Sequence, residues 1–129
     1  MRFILASKKT ILLAMALTLP SVATAADMRR MMDVYSPTEV TAFLENARQS
    51  CGEKLATGNT AHWPLRIRAE ICDCTAKEVV SIVQMRDMRP LLYGEPWDLG
   101  RAKEVMIRPS LMCYARSADA HPDISLAFK

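Results

Sequence analysis

The sequence predicts an all-α fold, a disulfide-stapled bundle of three to four helices behind an N-terminal signal peptide. Three observations lead there. Apolar residues recur at three- and four-residue steps over two long stretches, the period of a helix with one buried face. The four cysteines, Cys51, Cys72, Cys74 and Cys113, are an even number in a small chain. The first 25 residues have the layout of an export signal.

Arg2, Lys8 and Lys9 precede an apolar run from Ile11 to Leu19, Pro20 breaks it, and Ala23-Thr24-Ala25 fits a signal-peptidase site. The run is shorter than the about 20 residues that span a bilayer. Cleavage is therefore expected after Ala25, leaving one small helical domain over residues 26–129 in the periplasm or outside the cell. The removed segment holds three basic and no acidic side chains, so 17 basic and 14 acidic residues become 14 of each. A mature chain near neutrality gives no electrostatic reason to expect nucleic acid or anionic membrane as partner.

The first helix is predicted over about 37–56. Ser36 is its cap, Pro37 suits the first helical position, and Glu39 completes a capping box. Val40, Phe43, Leu44, Ala47, Cys51 and Leu55 make its apolar stripe, and Gly58-Asn59 ends it. The second helix is predicted from Pro64 to about Met85, with Leu65, Ala69, Cys72, Ala76, Val79 and Val83 along one face and Ile67 partly off it. Residues 86–98 contain Pro90, Gly94 and Pro96 and read as a long ordered loop folded back onto the helices. Asp98 caps a third helix that Pro109 should kink, or divide into two with the second starting at Pro109. The tail, about 119–129, reads as a loosely attached end.

The C-x-C at Cys72 and Cys74 falls within the second helix. Residues two apart on a helix point about 200° from each other. These two cysteines can neither bond together nor hold one metal ion without unwinding the helix. Each is instead expected to reach a different neighbour, Cys51 on the first helix or Cys113 on the last. Both connectivities remain open, 51–72 with 74–113 and 51–74 with 72–113. A thioredoxin-type site would need C-x-x-C at a helix start. A structural zinc would have to draw on His62 with Cys72, Cys74 and Cys113, although exported thiols oxidise. Met28, Met31, Met32, Met85 and Met88 have the soft sulfur of a Cu(I) carrier, but arginines are interleaved among them and gap-filling accounts for them. No metal, no cofactor and no catalytic residue are expected. The sequence has no nucleophile elbow, zinc-protease motif or phosphate loop, and His62 reads as a packed side chain beside Trp63.

The stretch "FLENARQSC" followed by "AEICDCTAKEVVSIV" and Cys113 resembles a loose group of small exported bacterial helical proteins, most of them without an assigned activity. The segment "LMCYARSADAHPD" is similar to the closing helix of type VI secretion amidase-immunity proteins. The resemblance implies a small, helical, periplasmic, disulfide-bearing protein. The expected function is non-enzymatic protein binding, as by an immunity or inhibitor protein, through Arg86, Arg89, Tyr93, Trp97 and Arg101. These are residue types enriched at binding hot spots. The alternatives are an envelope accessory protein, such as a holdase-type chaperone or a secretion or conjugation subunit, and a periplasmic metal carrier.

Overall fold

The computed structural model describes residues 24–129, and the first 23 residues of the predicted signal peptide lie outside it. The described chain forms α1 (Met31–Val34), α2 (Pro37–Leu55), α3 (Leu65–Ile82), α4 (Met88–Tyr93), α5 (Leu99–Ala102) and α6 (Arg108–Ala120). A π-turn, Lys103–Ile107, joins α5 to α6. Short 3₁₀ turns sit at Gly58–Thr60 and Met85–Asp87. The fold is all-α, and two disulfides staple it.

Local chemistry explains α2 at both ends. The Ser36 hydroxyl accepts a hydrogen bond from the Glu39 amide at 3.2 Å and donates one to the Glu39 carboxylate at 3.0 Å. Pro37 occupies the first turn, where its missing N–H has no partner to lose. Beyond Leu55 the chain reverses at Gly58, whose φ of 69° is left-handed backbone that favours glycine.

α3 is the central rod. Its Cys72 bonds to Cys51 of α2 and its Cys74 to Cys113 of α6, with Cα–Cα distances of 5.5 and 5.7 Å. Cysteines two apart on one helix thus hold neighbours on opposite sides. No free cysteine remains among the described residues. Disulfides of this kind belong to a non-reducing environment.

Two apolar clusters lie along α3. Val79, Val80 and Val83 pack with Met31, Met88 and Val105, and Phe43 and Leu44 of α2 lean on them. At the other end Ile67 and Ile71 pack with Trp63, Cys113 and Leu126. α3 is covered on two sides, as the apolar residues lying off its main stripe allow. Ile67 is fully buried and Leu65 faces solvent.

α3 also stops at Ile82, three residues before the expected end. The chain beyond it is taken up by the N-terminal segment. Met31 N–H donates to the Val83 carbonyl at 2.8 Å, Met85 N–H to Arg29 at 2.9 Å and Arg86 N–H to Asp27 at 2.8 Å. The last helix accommodates Pro109 without a full break. The π-turn lies just before α6, and Pro109 is the second residue of α6 rather than its first. A π-turn of this kind lets the helix absorb a disruption to its hydrogen-bond ladder.

The tail packs onto the body, in contrast to the loosely attached end expected. Trp63 Nε1 donates to the Ala127 carbonyl at 3.1 Å, and the Tyr114 hydroxyl donates to that of Leu126 at 2.9 Å. The Phe128 ring lies 5.4 Å from Trp63 and 5.6 Å from Tyr114. Replacement of the buried Leu126 by alanine should cost about 2–3 kcal/mol, at the low end for a core leucine. A urea melt reads this directly. A loss below about 0.5 kcal/mol would mean that the tail is not held.

Candidate functional site

Residues 86–101 are not a loop throughout. Asp87 is buried, and its carboxylate accepts the Gln84 amide at 2.8 Å. This turns the chain into α4, where Met88 points into the core. Pro90 falls in the first turn of α4, a position that tolerates proline. Gly94 closes the helix at φ 67°, its N–H donating to the Pro90 carbonyl at 3.1 Å. The proline and glycine that suggested a loop are the start and stop signals of a six-residue helix.

The five residues expected to bind a partner do not form one surface. Arg86, Arg89 and Tyr93 face solvent. Arg89 pairs with Glu95 at 2.9 Å, an exposed bridge of small energetic weight. Trp97 is half-buried against the core. Arg101 turns inward. Its guanidinium donates to both carboxylate oxygens of Asp87, at 2.9 and 2.7 Å, and to the Ile82 carbonyl at 3.1 Å. The two side chains are only 14% and 2% exposed. Asp87 holds the Arg101 guanidinium still further above its ordinary range, against burial, which lowers it. Arg101 is therefore a structural pin and drops out of the exposed set. In its place the structure adds two residues that sequence reasoning missed. Leu92 is 54% and Leu99 77% exposed, as Tyr93 is at 74%. Helical period would not have found Leu92, which lies four residues after the buried Met88 and so near the same face; its exposure depends on what packs against α4.

A second feature lies between α2 and α6, over α3. It is an open groove of about 420 Å³ with Phe43, Trp63, Met106 and Leu111 among its walls and Thr75 in its lining. The Thr75 hydroxyl is buried and has no hydrogen-bond partner among the described residues.

Elsewhere polar side chains pair in small, separate groups. Asp73 bridges Lys77 at 2.8 Å and Arg48 of α2 at 2.7 Å. Its carboxyl is held below the usual range chiefly by Lys77, with Arg48 acting in the same direction and burial opposing both. His121 lies 2.8 Å from Glu70, and His62 meets Trp63 edge-on. Among the described residues no group of three or more His, Cys, Asp and Glu is placed to hold a metal ion. No described helix is long and apolar enough to cross a membrane.

Compared with known proteins, the chain matches no family, no curated protein and no solved structure.

Proposed function

We propose that this is a small exported binding protein of the periplasm or the extracellular space, with no catalytic chemistry of its own. Its partner is another protein, engaged as an immunity or inhibitor protein engages its target. The observation that carries this reading is the exposure of Leu92 and Tyr93 on α4 and of Leu99 on α5, in a segment that also exposes Arg86 and Arg89. Tyrosine and arginine are residue types enriched at hot spots, and the exposed leucines add apolar area to bury. The Cys74–Cys113 link and the buried Arg101–Asp87 pair anchor the elements on either side of this segment, so little ordering is left to be done on binding. Export is supported by the two disulfides and by the N-terminal pairing. The first described residue that bonds to the 83–86 segment is Asp27, two positions after the predicted cleavage point.

The test is affinity capture by the tagged mature protein from cells that export it, with the captured partner then titrated in purified form. Leu92→Glu and Tyr93→Ala should each weaken that 1:1 complex at least tenfold. Leu65→Glu, an exposed leucine near the start of α3, should leave it unchanged. A complex indifferent to Leu92→Glu and Tyr93→Ala would overturn the reading. So would capture of many unfolded clients in place of one partner, the behaviour of a holdase.

A further inference from the structure

The groove over α3 is formed by other residues than the surface just described and has a chemistry of its own. Its volume of about 420 Å³ falls within the range of small-molecule sites. An open groove of this size suits a single acyl chain.

The lining is mainly apolar, with Asn46, Ser50 and Ser110 among its polar side chains, and Lys54 is the one lining residue with a charged side chain. No lining carboxylate would favour a cation there. Thr75, which is 9% exposed, lies in the lining with its hydroxyl unpartnered among the described residues. A buried hydroxyl left without a partner is destabilising. The hydroxyl oxygen is itself closed off from solvent, so rotation about χ1 must turn it toward the groove before a ligand's acceptor can recover that loss.

Lys54 and Thr75 are spaced along the groove. α2 and α3 run antiparallel, with Phe43 packed in the Val79 cluster and Leu55 in the Ile71 cluster. Cys51 and Cys72 tie them at one level, and Lys54 and Thr75 each lie three residues beyond, in opposite directions. At 1.5 Å of rise per residue their backbones are about 9 Å apart along the axes. The flexible lysine stem can close part of that gap. Beyond Thr75, away from Lys54, the lining is Phe43, Val79 and Met106.

We propose that this groove binds an anionic monoacyl amphiphile, a single acyl chain joined through an amide or ester carbonyl to an anionic head group. The carbonyl accepts the Thr75 hydroxyl, the head group pairs with Lys54, and the chain lies along Phe43, Val79 and Met106.

Calorimetric titration of the mature protein tests this, with N-lauroylglycine and dodecyltrimethylammonium each kept below its micelle concentration. N-lauroylglycine should bind 1:1 and at least tenfold more tightly than the cation. Lys54→Glu should weaken N-lauroylglycine at least tenfold and reverse the preference. Thr75→Val, which keeps the shape of the side chain, should weaken it about 2- to 10-fold, the range of one hydrogen bond. Leu92→Glu should change nothing, which separates this site from the protein-binding surface. Melting curves of the variants confirm that each is folded. Absence of saturable binding, equal affinity for anion and cation, or indifference to both groove substitutions would overturn the proposal. Binding to phosphatidylglycerol vesicles without binding to the monomeric probe would also overturn it, by assigning the affinity to a membrane surface.

Discussion

Replacing Arg101 by methionine should destabilise the fold by about 3–5 kcal/mol, the usual cost of removing one partner from a buried ion pair. The cost comes mainly from what is left behind. Asp87 is 2% exposed and would keep its carboxylate in the core with the Gln84 amide as its remaining close donor. The Ile82 carbonyl would also lose the guanidinium that donates to it. Replacing Asp87 by asparagine in the same chain removes the buried charge, so the double variant should recover much of the loss. Urea melts of the two single variants and the double variant form a thermodynamic cycle whose coupling should exceed about 1 kcal/mol. If Arg101→Met costs less than about 1 kcal/mol, the pair is not sequestered as the geometry shows. The partner-binding role expected of Arg101 would then be open again.

Removal of the disulfides should have a comparable or larger effect. Cys51–Cys72 closes a separation of 21 residues and Cys74–Cys113 one of 39. Chain entropy puts these at about 3 and about 4 kcal/mol. Paired Cys→Ser changes should therefore order as Cys74/Cys113 worse than Cys51/Cys72. Removing all four cysteines should leave a chain unfolded at 37 °C, since the total stability of a domain is about 5–15 kcal/mol. Thermal melts monitored by circular dichroism read both the order and the collapse. If all four could be removed with a shift of only a few degrees, packing alone would hold the helices.

Where a signal was local, the sequence carried it. Ser36, Pro37 and Glu39 mark the start of α2 because the cap is made within four residues. The helical geometry of Cys72 and Cys74 rules out a bond between them for the same reason, and the structure adds only which partner each takes. Features decided by distant parts of the chain were not legible. α3 ends early because residues 27–31 pair with the chain beyond it, and no window of local sequence includes both. Ile67 is buried through Trp63 and Leu126, the latter close to the C-terminus. The tail alternates apolar with small or polar residues weakly, and only the ring stack with Trp63 and Tyr114 shows why it docks. Arg101 had the composition of a hot spot, and its burial depends on Asp87, 14 residues earlier. The groove could not be foreseen at all, because it is the space left between helices rather than a property of any one of them.

The arrangement of α2 and α6 on opposite sides of α3 is tested most directly by mapping the two disulfides. Asp73 lies between Cys72 and Cys74, so cleavage at that aspartate in the non-reduced, alkylated protein separates the two cysteines before mass analysis. The structure predicts that the peptide with Cys51 stays joined to that with Cys72, that Cys74 stays joined to Cys113, and that no thiol is alkylated. Peptides joining Cys51 to Cys74, or alkylated cysteines in the native protein, would contradict the central rod and the groove built upon it.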